Sequence, residues 1–300
     1  MPKKTKFDPT GQSRNRSQAS KAIKNRLLKA RKRVKSLFAT IPNAKKTSPI
    51  VRNNEEVSYE YMLIPGAAIA LQQSITEIVE SELETTEDTQ PLGWFYSEYA
   101  EQPYRNGAAE QVIQSNQQID EATIIGALAL LFYRKLLPEE YLRSTPYYTA
   151  VQQVFTRNFN LVSTMSSELS IRSASVMFDA ISAGVRPADV LAQLDATFDR
   201  ADARAVRIAD TEVNRAYNDA RIETAQHIAQ LVGLTSGVQH ISALIPTTRP
   251  HHAARHLKYY SVEAQQQWWA EGANRINCHC SANPVLLGED GQPLNRESDD

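Results

Sequence analysis

A chain of 300 residues, 42% hydrophobic and 22% charged, can bury one large core or two smaller ones, and its length suggests about two domains. Its longest strongly apolar run, ATIIGALALLFY over residues 122–133, falls short of the roughly 20 residues that cross a bilayer, and no apolar segment follows the basic N-terminus as a signal peptide requires; this predicts a protein made in the cytoplasm without stable membrane insertion. The net charge of −1 conceals a segregation: residues 1–50 hold fifteen Lys and Arg against one acid, Asp8, and the remainder eighteen against thirty-three, so a basic arm is attached to an acidic body, as in chains that meet a polyanion.

Residues 1–16 are polar and broken by Pro and Gly, which predicts disorder unless a partner orders them. From Ser17, Ala19, Ile23, Leu27, Ala30, Val34 and Leu37 recur at steps of three and four, the stripe of a helix whose other faces are mostly Lys and Arg. That helix should stop before Ile41-Pro42, because a residue preceding proline avoids the α region, and residues 39–57 read as a linker. A helix follows from Pro65 to about Glu84, with a solvated acidic connection at 82–88. Trp94, Phe95, Tyr96, Tyr99 and Tyr104 read as an irregular loop packed on helices, and 108–136 as a helix whose run 122–133 is the most buried part of the body.

A further helix spans about Tyr147 to Ala183, ended by Gly184, and Pro187 opens the next, which continues to Val232 before Gly233, with a possible break near Asp195. Its apolar stripe, Phe198, Ala201, Ala205, Ile208, Ala209, Val213, Ala216 and Ala220, includes Glu212, and a carboxylate there needs a partner. After Gly237 the pattern turns to strand, and residues 288–300 form an acidic flexible tail. The fold class read from this is mainly α: a helical N-terminal and central region, with a long helix leading into a small α+β C-terminal Cys/His subdomain.

Cys278 and Cys280 are the only cysteines, too few for a disulfide framework. With His252 and His256, four apart in TTRPHHAARHLKYY, they make a two-Cys, two-His set, the composition of a structural zinc site; His240 and His279 are alternative donors. The alternative is surface histidines and small buried thiols. Catalysis finds little support: H-E-x-x-H, G-x-S-x-G, the P-loop and the deaminase signature are all missing, although a zinc hydrolase or an injected effector stays open as a reading.

The basic helix has three readings: DNA, a membrane surface, or an apolar groove on another protein. The favoured one combines a stripe resting on protein with cations on nucleic acid, assigned to Arg14, Arg16, Lys21, Lys24, Arg26, Lys29, Arg31, Lys32, Arg33 and Lys35.

Three ordered motifs carry a resemblance. RIADTEVNRAYNDAR (Arg207 to Arg221), TRPHH (Thr248 to His252) and NCHC (Asn277 to Cys280) resemble, in order, the I-A-x-T-E helix with its A-[YF]-N-x-x-R continuation, the T-R-x-x-H and the N-C-R-C of the Mu F-like minor head proteins of tailed bacteriophages, over about residues 172–284. Thr211, Glu212, Asn218, Arg249, His252, Cys278 and Cys280 are the matching positions. The chain departs from the family where Leu257 stands in place of a frequent glycine, where His279 replaces the usual arginine, and where Leu244, Ile245 and Pro246 replace a frequent acid. The resemblance implies a low-copy virion protein in the head interior near the portal vertex, with the portal protein, packaged double-stranded DNA and the major capsid or scaffolding protein as partners, acting in head assembly or genome ejection. Together with the charge and periodicity read above, it divides the chain into a basic arm, helix and linker (1–57), a helical body (58–170), the Mu F-like domain (171–287) and the tail (288–300). An internal scaffold adaptor without DNA contact is the competing role. The resemblance also offers Glu212 a partner, Arg249.

Overall fold

A computed structural model describes residues 4–49, 55–62, 66–84, 93–124, 134–288 and 291–294. The chain is mainly α-helical: α1 (Ser13–Ala39), α2 (Ala67–Leu83), α3 (Glu101–Ile124), α4 (Pro138–Tyr141), α5 (Thr145–Ser182), α6 (Pro187–Leu231), α7 (Pro250–Ala253) and α8 (Val262–Ala270). Strands β1 (Asn43–Pro49) and β2 (Glu55–Tyr61) form one antiparallel pair, and β3 (Thr235–Ile241), β4 (Tyr259–Ser261) and β5 (Ser281–Leu287) form a sheet in the order β4-β3-β5. The long helix leading into a small α+β Cys/His region follows the sequence reading. Two compact units result, residues 1–19, 95–157 and 209–300 in one and 20–94 and 158–208 in the other.

In the second unit the α1 stripe is buried at Ile23, Leu27, Ala30, Val34 and Phe38, Phe38 taking the last place that the sequence gives to Leu37. Its flanks are tied by charge. Arg31 meets Asp199, Asp195 and Asp202; Lys35 donates to Asp195 (2.7 Å); Arg33 meets Glu82 (2.9 Å). Arg26 donates to the Glu82 carbonyl (2.9 Å) and lies 4.1 Å over the Trp94 ring. The predicted linker is instead the β1–β2 pair, with Asn43 opposite Tyr61. Its physical anchor is Tyr61, whose ring stands 5.8 Å from Phe38 and whose hydroxyl donates to the Val185 carbonyl (2.6 Å). Gly184 ends α5 in the left-handed region (φ 64) and its carbonyl accepts from the Tyr59 amide (2.9 Å), so glycine and hairpin fix each other.

The first unit departs from expectation at three places. Residues 4–12 are ordered against the body: Thr10 and Gln12 are buried, and Asp8 accepts from the Ser13 amide (2.9 Å), satisfying one of the orphan N–H groups at the start of α1. The aromatic segment is helical rather than irregular, a π-helical turn at Tyr96–Ala100 running into α3. Helix α3 begins at Glu101, earlier than predicted, while residues 134–137 are non-helical and 125–133, most of the apolar run, lie outside the described residues. The core gathers Tyr96, Tyr104, Val112, Tyr141, Ala216 and Ile228. Gly107 permits this approach, since a Cβ there would lie 2.5 Å from the Tyr217 carbonyl. Helix α6 runs unbroken through Asp195 and closes on Gly233 (φ 69), with the Leu234 amide donating to the Ala229 carbonyl (2.8 Å).

The outer edge of β5 would expose unpaired backbone groups. Side chains cover it: Asn218 and Arg221 at Ala282, and Gln118 at Pro284 and Leu286. The sheet therefore ends on amide and guanidinium groups from α3 and α6.

Candidate metal centre

One face of α6 reads the backbone of the Cys-x-Cys loop. Thr211, Asn214, Asn218 and Arg221 follow one another at steps of three and four, so their side chains point the same way. The Thr211 hydroxyl accepts from the Asn277 amide (3.1 Å). Asn214 donates to the carbonyls of Cys278 (2.8 Å) and Cys280 (3.2 Å). Asn218 donates to the Cys280 carbonyl (3.2 Å) and accepts from the Ala282 amide (2.9 Å), imitating the pairing of a neighbouring strand. Arg221 closes the series on the Ala282 carbonyl (3.0 Å) and on Asn283 (2.7 Å).

Arg249 holds the same loop from its other end, donating to the carbonyls of Ala273, Asn274 and Ile276. It does not partner Glu212, contrary to the sequence expectation. Glu212 is buried and its carboxylate takes the Arg157 guanidinium (2.8 Å), with Arg215 at 3.9 Å. The reason is local: the loop's carbonyls consume the Arg249 donors, and Arg157 on α5 faces the Glu212 side of α6. Between the two grips, Asn277 turns the chain with φ 50, a left-handed conformation that asparagine tolerates, which explains an asparagine immediately before Cys278.

This clamp sets both sulfurs against a histidine. Cys278 Sγ and Cys280 Sγ stand 3.5 and 3.6 Å from His252 Nδ1, and all three residues are buried. His252 reaches them from α7, whose first residue is Pro250. His240 arrives from β3, where strand alternation buries it with Val238. The donor atoms of His240, His252 and Cys280 lie within 4.8 Å of one another, so these three could hold a metal ion. His240 Nδ1 faces Gln265 Oε1 (3.3 Å), and the buried Nε2 atoms of both histidines have no hydrogen-bond partner. Trp268 walls the group, its ring 4.7 Å from that of His252 and 5.3 Å from that of His240.

The two thiols bias each other's ionisation in opposite directions. The Cys278 S–H bonded to Cys280 raises the Cys278 thiol and holds Cys280 well below the ordinary thiol range, with His240 and His252 adding to the depression. Such a thiolate is the form that binds a metal. The space lined by Thr211, Asn214, Asn218, Trp269, Cys278 and Cys280 is about 10 Å³, enough for no more than about one water.

Residues 173–283 match the family described as Phage Mu protein F like protein. Over this segment, about a third of its length, the chain is similar to the Mu F-like phage head morphogenesis family. The matched segment contains the whole α6 clamp, the donor group and most of the C-terminal sheet, while residues 1–172 lie outside it. No curated protein and no solved structure matches the chain.

The other predicted positions fall as follows. His256 stands apart from the donor group, its Nδ1 accepting from the Ser242 amide (3.1 Å), and His240 occupies the place that the sequence reading gives to it. Of the ten assigned cations, Arg16 is buried and donates to Asn214 (3.3 Å), and Arg26, Arg31, Arg33 and Lys35 have the intramolecular partners described above. Arg14, Lys21, Lys24, Lys29 and Lys32 are exposed. Asn214 and Arg157 are contact residues of the site and its supporting helix that sequence reasoning passes over. Asn214 was signalled by its spacing, three residues after Thr211 and four before Asn218; Arg157, fifty-five residues from Glu212, had no such signal.

Proposed function

We propose that this protein is a Mu F-like minor head protein inside the virion, bound to the portal and facing packaged double-stranded DNA, and acting in head assembly and genome delivery. The family match carries the reading. Lys21, Lys24, Lys29 and Lys32, exposed on α1 at steps of three to five, support the DNA contact, because clustered cations on one face release counterions from a phosphate backbone. In this reading residues 1–57 are the DNA-facing arm, 58–170 the helical body, 171–287 the Mu F-like domain that meets the portal and the capsid or scaffolding protein, and 288–300 the tail. Zinc is the metal that the Cys/His centre takes, since thiolate and imidazole together suit it. The cramped space beside the sulfurs supports a structural rather than a hydrolytic centre.

A second reading is favoured by the ion pairs of Arg31, Arg33 and Lys35: an internal adaptor whose cations serve its own acids and which binds the portal without DNA. Co-expression with the portal protein separates the two. Complexes that survive nuclease support direct portal binding, and complexes that dissolve on nuclease treatment reduce the contact to a DNA tether. Absence of any complex before nuclease treatment rejects portal association.

A further inference from the structure

We infer that Cys278, Cys280, His252 through Nδ1 and His240 through Nε2 form a closed, four-donor zinc site whose task is to lock the C-terminal sheet to the Cys-x-Cys loop. This rests on the zinc reading above and adds the fourth donor, the ligating nitrogens and the absence of an open coordination position.

The nitrogens follow from the hydrogen bonds. The Gln265 Oε1 atom accepts only, so His240 Nδ1 must carry the proton in that contact, which leaves Nε2 with its lone pair and with no partner in a fully buried setting. A metal-bound histidine whose other nitrogen donates to a fixed oxygen is the usual supporting arrangement, and Arg255 in turn donates to the same Gln265 oxygen (3.1 Å). For His252 the choice falls on Nδ1 because both sulfurs converge on it. A tetrahedral zinc with Zn–S of about 2.3 Å and Zn–N of about 2.0–2.1 Å places sulfur and nitrogen roughly 3.5–3.6 Å apart. The two S···N separations of 3.5 and 3.6 Å already have that length.

The fourth donor is Cys278. It shares the 3.5 Å approach to His252, is buried, and lies on the side of the loop that Asn214 fixes through the Cys278 carbonyl. Cys278 stands outside the 4.8 Å group of His240, His252 and Cys280, so its sulfur closes on the ion when the metal binds; two sulfurs and two nitrogens then leave no position for a substrate or a reactive water, which distinguishes structural from catalytic zinc. The ligands come from β3, α7 and the loop before β5, so one ion joins three segments otherwise held by hydrogen bonds and packing.

The test uses the full chain loaded with zinc and, for spectroscopy, with cobalt. The expected result is one metal per chain, a tetrahedral cobalt spectrum with thiolate charge-transfer bands, and no change on adding azide. Cys278→Ser and His240→Ala should each weaken zinc binding by at least about tenfold, whereas His256→Ala should leave it within about twofold. Parent-like binding by Cys278→Ser or His240→Ala overturns the four-donor site while zinc itself stands. An azide-dependent shift of the parent spectrum, which needs no variant to fold, overturns the closed site. No stoichiometric metal in the parent removes the zinc reading and this inference with it.

Discussion

Glu212 and Arg157 form a buried ion pair between α6 and α5, with Oε2 and Nε 2.8 Å apart and the carboxylate side chain 4% exposed. The carboxylate interrupts the apolar stripe of α6 because it has a fixed cation to meet, and removing one member strands the other out of water. Glu212→Ala should therefore cost about 3–5 kcal/mol. A double-mutant cycle read by denaturant unfolding should give a coupling of at least about 1 kcal/mol for Glu212 with Arg157, and none for Glu212 with Arg249. Coupling to Arg249 instead would reverse the assignment.

Farther along the same helix, Glu223 accepts from the Tyr104 hydroxyl, and its carboxyl is pushed up to about 7 by burial and then by the neighbouring Asp219 charge. Asp219 goes the other way: burial opposes ionisation, but Arg275, Arg157 and Arg215 outweigh it. For Glu223 the folded chain keeps a proton that the unfolded chain releases near pH 4.3. Its contribution to stability is thus fully present below that pH and is lost as pH rises towards about 7. Glu223→Gln should gain on the parent by about 1–2 kcal/mol between pH 5 and pH 8, solvent screening of this partly exposed group moderating the effect. Urea unfolding at the two pH values checks this, and a difference independent of pH would refute the shift.

Leu257 sits in the left-handed region with φ 62, and its side chain is 55% exposed. A side chain there costs about 1–2 kcal/mol, partly offset by the greater freedom that glycine gives the unfolded chain. Leu257→Gly should stabilise by up to about 1 kcal/mol, while Leu257→Val should destabilise because β-branching worsens the same clash. Thermal midpoints that move in the opposite order would show that Leu257 contributes packing instead.

The long α6 was legible because its stripe and its two glycine-marked ends are local signals, and the Cys/His region was legible from composition and motif order. Less visible was what the motifs do. Thr211, Asn218 and Arg249 act on backbone groups of residues 273–282, and sequence spacing contains no record of which carbonyl a side chain will meet. Residues 4–12 looked unstructured because their order depends on a few polar contacts, chiefly those of Asp8, rather than on an apolar stripe. The β1–β2 pair was missed for a related reason, its anchor being one tyrosine against distant partners. Zinc-ligand arithmetic favoured His256 by its four-residue spacing from His252, yet α7 ends at Ala253, so helical spacing does not apply there.

Charge counting along α1 overstated the cations open to a polyanion. If Lys21, Lys24, Lys29 and Lys32 make the contacts, binding of random duplex DNA should weaken with salt at a log–log slope of about −3.6, against about −9 if all ten assigned cations took part. Replacing the four lysines by glutamine should abolish most of the slope, whereas Arg33→Gln should alter it by less than about one unit. Salt-independent behaviour of the parent would transfer the arm to the adaptor reading.

Placement of a minor head protein inside the particle at the portal vertex can be checked by locating the chain in purified, DNA-filled virions through cross-linking to the portal and averaging of the portal vertex. The expected result is a low-copy, protease-protected chain cross-linked to portal and lying beside packaged DNA. A chain missing from intact particles, or present only on their protease-accessible outer surface, would contradict it.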